Sequence, residues 1–213
     1  MEKEHHVLDE RRGRLYMGVS AAGKGALTPP INMWVRNAQS VWSQRNNLAD
    51  EIIDRFWTQT GYFNSMKELA GFEGTYSQDI QSRMHQRQVS GGDPRTLNPH
   101  DGMQEISARR SSTELPDILD DLEKTYVAGN PHRSPDSLLT TSMFGTGVDV
   151  KRINLMTVFG QPKTTASYIQ STGRVGRDKG ALVTTFFRAS RPRDLSHYEF
   201  FMGNHRQLQR FVE

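Results

Sequence analysis

The sequence predicts an α/β fold built on a mostly parallel sheet with helices on both faces. Three observations predict it. Short apolar runs of strand length alternate with stretches whose apolar residues recur every three or four positions. Loops rich in Gly, Pro and Asn separate the two kinds of segment. The chain has 213 residues, enough for one large α/β domain or two small ones with a buried core.

The elements follow in order. The first dozen residues are charged and tail-like, and Leu15 to Ser20 is the first strand-like run. A Gly/Ala turn follows, and Pro29-Pro30 is expected to stop any helix begun there. From Met33 to Trp57, Trp34, Ala38, Val41, Trp42, Leu48, Ile52, Ile53 and Phe56 recur at a spacing that predicts one long amphipathic helix. Thr58 to Phe63 is β-like, and Ser65 is placed to cap a helix running to about Met84. Residues 89–102 read as a loop and Gln104 to Ser107 as a short strand. Ser111 and Glu114 stand in capping-box spacing ahead of Leu115, Ile118, Leu119, Leu122 and Tyr126. Leu138 to Thr141, Ile153 to Phe159 and Ala181 to Phe187 complete the strands. Thr164 to Thr172 reads as a short helix and Asp194 to Val212 as a terminal one. The chain thus divides into a tail, strand and long helix (1–57), a core domain (58–190) and a C-terminal helix (191–213), with no internal repeat.

Composition excludes several classes. There is no cysteine, hence no disulfide framework, thiolate zinc site or cysteine nucleophile. No run approaches the ~20 apolar residues of a membrane span, and the charged N-terminus has no secretory apolar core. Mean hydropathy is −0.68, and the expectation is a soluble, cytoplasmic chain. The seven histidines are scattered and suggest no metal site; His197 and His205 are eight apart on the expected terminal helix. The 27 Lys and Arg against 24 Asp and Glu give a net charge of +3. Residues 1–139 hold 16 basic and 19 acidic side chains, whereas residues 140–213 hold 11 and 5. The positive surplus therefore lies in the last third, a distribution suited to a polyanion.

That third carries the informative segments. SLLTTSMFGTGVDV, residues 137–150, is an apolar strand running into a Gly-containing turn. Asp149, past that strand, can accept hydrogen bonds from ribose hydroxyls. QSTGRVGR, residues 170–177, sets Arg174 and Arg177 three apart. At helical spacing two guanidinium groups share one face, an arrangement suited to the charge spread over a transferring phosphoryl group. Gly18 to Lys24 has the spacing of a phosphate-binding P-loop, but Gly25 stands where Ser or Thr should ligate magnesium, so it is read as a Gly-rich turn. No Walker B run is present, and Leu119-Asp120-Asp121 falls on an expected helix.

These segments resemble the second RecA-like domain of superfamily 2 helicases and translocases. QSTGRVGR is similar to motif VI, TTSMFGTGVD to motif V, and GYFNSMKELA to motif IV, in the family's order. ISARRSSTELPDILDDLE and the C-terminal stretch resemble the helicase component of DISARM-type anti-phage systems. The resemblance implies a RecA-like sheet and an ATP-dependent engine of two such domains. It implies that Arg177 is the arginine finger, that Arg174 and Gln170 lie near the phosphates and attacking water, and that Asp149, Gly147 and Gly173 approach the nucleotide. It implies that Thr141, Gly145, Asn64 and Ser65 face nucleic acid, taken as DNA, and that Arg109, with Arg110, touches strand phosphates. ATP and Mg²⁺ would be held mainly by a first, P-loop-bearing RecA-like domain, in another chain or lost from this one, so this chain alone is expected to be inactive. The competing reading is a non-catalytic nucleic-acid-binding or interaction module that keeps the fold; a kinase-like use of the Gly18–Lys24 turn ranks last.

Overall fold

The computed structural model describes residues 13–89, 93–98, 102–130, 133–141, 149–177 and 179–208. Six strands, β1 (Arg14–Ser20), β2 (Gln59–Phe63), β3 (Met103–Ile106), β4 (Ser137–Thr140), β5 (Leu155–Phe159) and β6 (Ala181–Phe187), form one sheet in the order β1-β6-β5-β2-β4-β3. Every pairing is parallel. All five residues of β2 and of β5 are buried, as expected of parallel strands covered on both faces.

Side chains alternate between two cores. Tyr62, Leu138, Met156, Val158 and Val183 point to one face, where Ile118 and Leu122 of α5 (Leu115–Glu123) and Tyr168 of α6 (Thr165–Thr172) cover them. Phe63, Leu139, Phe159 and Phe186 point to the other. There they meet α1 (Thr28–Ser43), α3 (Met66–Thr75), a π-helical turn (Tyr76–Ile80) and α4 (Gln81–Val89). Trp34 of α1 sits at the centre of that second core, with ring centroids 4.9 Å from Phe72 and 6.3 Å from Phe159.

Three local expectations give way. Pro29 and Pro30 do not stop a helix; they open α1 at its first positions, where the missing N–H bonds to nothing in any helix. The expected single helix to Trp57 is two, α1 and α2 (Asp50–Trp57), separated by the polar stretch 44–49. The terminal helix is also two, α7 (Pro192–Glu199) and α8 (Phe201–Arg206), broken at Phe200, so His197 and His205 do not share one helix. Ser65 does cap α3, its hydroxyl accepting from the Glu68 N–H at 3.3 Å.

Two arginines, Arg95 buried and Arg152 partly buried, tie the loops at the amino end of the sheet. Arg95 donates to Asp136 at 2.6 Å and to the Trp57 carbonyl at 3.0 Å, and lies 3.6 Å over the Trp57 ring. Arg152 binds Asp54 at 2.8 Å and also reaches Thr58, Ser134 and the Leu122 carbonyl.

Candidate functional site

The sequence-predicted residues separate to opposite ends of the sheet. Asp149 and Arg177 meet at the amino end, before β5 and β6. Arg177 Nη1 lies 2.6 Å from Asp149 Oδ1, with side chains 32% and 47% exposed. The pair joins the two segments read as motifs V and VI at a surface open to solvent.

The loop that carries Arg177 is built by its glycines and its neighbours. α6 ends at Thr172, and Gly173 caps it by donating to the Ile169 carbonyl at 2.8 Å. Val175 is fully buried and anchors the loop in the core. Gly176 has φ of +63°, and its N–H donates to the Ile153 carbonyl at 3.1 Å. A Cβ there would stand 2.3 Å from the Ala181 Cβ, so the turn into β6 requires glycine. Arg174 and Arg177 therefore do not share a helix face as their spacing predicts, because both lie beyond the end of α6. Arg174 is partly buried, and Gln170 is exposed on α6.

Arg14, which no local sequence signal marks, reaches this loop from β1. Its Nε donates to the Val175 carbonyl at 2.7 Å and its Nη2 to the Gly173 carbonyl at 3.1 Å. The two bonds straddle Arg174. α6 is itself fixed from behind: the Tyr168 hydroxyl lies 3.0 Å from both Thr185 Oγ1 and His205 Nε2. Burial pushes the Tyr168 phenol well above its ordinary range, so it stays protonated. Burial holds His205 below the ordinary histidine value, against the opposite pull of its bond to the Phe201 carbonyl. A neutral imidazole that donates from Nδ1 to Phe201 and accepts from Tyr168 satisfies both contacts.

Asn64, Ser65, Thr141 and Arg109 lie at the carboxyl end, after β2, β4 and β3. Asn64 Nδ2 donates to the carbonyls of Phe159 at 3.0 Å and Gly160 at 3.1 Å, tying the ends of β2 and β5 together. Thr141 is buried. Arg109 is held by two carboxylates, Glu105 at 2.7 Å and Glu73 at 2.8 Å. Burial works against the charge on Glu105, but its bonds to Arg109 and Ser107 outweigh that and hold its carboxyl below the usual range. Gly145 and Gly147 lie outside the described residues.

The Gly18–Lys24 segment does not fit a phosphate cradle. Gly18 lies inside β1, paired with Thr185, and its backbone faces the Phe201 ring. Lys24 is exposed on the loop ahead of α1. Among the described residues no three His, Asp or Glu side chains cluster as a metal site.

Residues 104–179 match the family described as the helicase conserved C-terminal domain. Over 97% of its length the chain is 38% identical to the DISARM protein DrmA of Bacillus paralicheniformis. Residues 104–179 thus carry the helicase conserved C-terminal domain, and the chain resembles DrmA along nearly its whole length. The chain spans only 18% of the length of the DrmA relative. Its fold is that of solved helicases at low identity. DUF1998 helicase MrfA bound to DNA aligns with TM-score 0.61 and 13% identity, covering 91% of this chain and 23% of that one. Mss116p DEAD-box helicase domain 2, bound to an RNA duplex, aligns with TM-score 0.57 and 12% identity, covering 87% of this chain and 58% of that one. The matched segment 104–179 omits β1, β2 and β6. Because β2 separates β5 from β4, that segment is not a continuous sheet by itself.

Proposed function

We propose that this domain is the second half of a nucleic-acid-dependent ATPase and supplies the arginine finger, Arg177, to ATP held by a first RecA-like domain. The observation that carries the reading is the Arg177–Asp149 ion pair, which joins the motif V-like and motif VI-like segments at a solvent-facing loop. Closure of the two domains exchanges the Asp149 carboxylate for the γ-phosphate as the partner of Arg177, and Asp149 turns to the ribose. Arg174 and Gln170 assist at the phosphates and water, and the Gly147 and Gly173 backbone lies along the nucleotide. ATP and Mg²⁺ sit mainly on the other domain, whose P-loop supplies the cradle missing from Gly18–Lys24. Coupling hydrolysis to closure is what moves such an engine along a strand.

The carboxyl end provides the nucleic-acid groove, with Thr141, Gly145, Asn64 and Ser65 along the strand. Arg109 takes part once a phosphate displaces Glu73. DNA binding by the neighbour MrfA supports DNA as the partner. The 38% identity to DrmA supports a DISARM-type anti-phage role for the parent protein.

The test uses a protein that joins this domain to a P-loop-bearing RecA-like domain. Arg177→Ala is expected to lower the ATPase kcat by about 10³-fold or more, with single-stranded DNA binding retained. The 213-residue chain alone is expected to show negligible ATPase and salt-sensitive DNA binding. An Arg177→Ala enzyme with wild-type kcat refutes the finger assignment.

A further inference from the structure

The loops after β2, β5 and β6 stand side by side, because those strands are neighbours in the sheet. At about 4.8 Å per strand they cover roughly 10 Å of the carboxyl end. They are tied to one another. Asn64, after β2, donates to the Gly160 carbonyl at 3.1 Å. Asp194, at the start of α7 and 3% exposed, accepts from the Gln161 N–H at 3.1 Å through one oxygen and from the Arg188 N–H at 3.0 Å through the other. Gly160 has φ of +81°, and a Cβ there would stand 3.2 Å from that carboxylate, so the turn after β5 is fitted to it. Arg193 Nη2 donates to the carbonyls of Pro162 at 2.6 Å and Lys163 at 2.8 Å, fastening the β6–α7 loop to the β5–α6 loop.

This fixed rim carries positive charge that faces solvent. Lys163 and Arg193 are exposed, and the Arg191 side chain is 47% exposed. The neighbouring carboxylates do not cancel that charge. Asp194 is turned inward onto backbone N–H groups. Glu68 is shared at one oxygen by Arg188 and Arg191, each at 2.7 Å. Lys163, Arg188, Arg191 and Arg193 against Glu68 and Asp194 leave a surplus of two positive charges. Among the described residues the side-chain hydrogen bonds of Arg191 and Arg193 run from Nη2 alone. Each guanidinium therefore keeps Nε and Nη1 for a further acceptor. Cations already held by their own loops bind an anion with little further ordering.

Asn64, at one end of this rim, belongs to the proposed nucleic-acid groove. We propose that the groove continues from β2 over the β5–α6 and β6–α7 loops, where Lys163, Arg191 and Arg193 bind successive phosphates of the same strand. The inference rests on the proposed groove and lengthens it across two further strands of the sheet. The rim offers charged donors to oxygen anions, so it holds the backbone of the strand and reads no bases. It also gives part of the positive surplus in the last third of the chain a partner of its own, separate from the ATP phosphates assigned to Arg174 and Arg177.

Two double variants provide the test. Lys163→Gln with Arg191→Gln removes two of the phosphate contacts and leaves Glu68 paired with Arg188. Arg193 is kept, because it also holds the β5–α6 loop. Lys124→Gln with Lys151→Gln removes the same charge from exposed positions at the amino end. All four side chains lie at the surface, so both variants should melt with the parent chain. Binding is read by fluorescence anisotropy with fluorescein-labelled oligo-dT between about 50 and 200 mM salt. On a single strand each phosphate contact contributes about 0.7 to the slope of log affinity against log salt. Loss of two should make the slope shallower by about 1.4, so the affinity lost across that salt range shrinks about sevenfold. The amino-end variant should keep the parent slope. A parent slope in the Lys163→Gln, Arg191→Gln variant, or an equal change in both variants, overturns the extension and leaves the groove standing. No binding of oligo-dT by the parent chain removes both.

Discussion

Replacing Arg14 with alanine tests whether β1 holds the arginine loop in place. The guanidinium spans two carbonyls, Val175 at 2.7 Å and Gly173 at 3.1 Å. Hydrogen bonds with a charged partner contribute about 1.5–3 kcal/mol each. Both are only partly buried, and water can take over part of their role. A combined loss of about 2–3 kcal/mol follows. For a chain of this size that corresponds to a fall in Tm of about 5–10 °C. The local effect is more diagnostic. Amides of Arg174, Val175 and Gly176 donate within and beside this loop, so hydrogen exchange there should accelerate beyond the global change. Arg14→Lys should recover only part of the protection, because a single ammonium lacks the planar fork that reaches both carbonyls. Circular dichroism melting and peptide-resolved exchange measure the two effects. A Tm within about 1 °C of the parent chain and unaltered exchange over residues 173–177 would show that β1 does not position the loop.

Other outcomes follow from the same contacts. Arg95→Ala strands the Asp136 carboxylate, both partners being 1% exposed, and should cost about 3–5 kcal/mol in urea unfolding; a loss below about 1 kcal/mol would mean that water or Asn98 replaces the guanidinium. Gly176→Ala should cost about 2 kcal/mol or more, since it adds a Cβ in contact with Ala181 at a positive φ, and a neutral result in thermal melting contradicts the turn geometry. Burial depresses His205 in the folded chain, so its contribution to stability is present above the unfolded value of about 6.5 and is lost as pH falls through the lower folded value. Tm should therefore drop on acidification below about pH 6.5. His197, depressed first by burial and then by Arg193 despite Asp194, acts in the same direction. His205→Gln should flatten the slope without abolishing it, and an unchanged slope would assign the effect elsewhere.

The central strands were legible because a parallel strand buried on both faces is a short continuous apolar run, as LLT and LMTVF are. The pairing of those strands was not legible. Nothing within Arg14 to Ser20 points to Ala181 as its partner. The prolines misled because the same residue ends a helix from inside and starts one from its first turn. The break between α1 and α2 had a signal in Asn46-Asn47, which the apolar periodicity on either side outweighed. At the site, residue types and spacing singled out Asp149 and Arg177 separately and paired Arg177 with Arg174; nothing in the sequence announced the contact between Arg177 and Asp149. Their supports were invisible: Arg14 acts on a loop 161 residues away, and Tyr168 and His205 meet across 37 residues, with no local pattern at either. Arg95 and Arg152 were equally hidden, since a buried arginine carries no periodicity and looks like surface charge in a sequence.

The register of β1 also governs how the molecule is made. Among the described residues β1 pairs with β6 alone, and Arg14 emerges from a ribosome 167 residues ahead of Ala181. At cellular elongation rates that gap lasts on the order of ten seconds. During it β1 lacks its β6 partner, and Leu15 and Met17, 66% and 42% exposed even in the finished sheet, have no cover from β6. Closing so long a loop is entropically slow. The clamp of Arg14 on the Gly173 and Val175 carbonyls forms in the same late step. The loop that presents Arg177 therefore takes its final shape only when the last strand has been synthesised and docked, and a nascent chain halted before β6 carries the motif without its geometry.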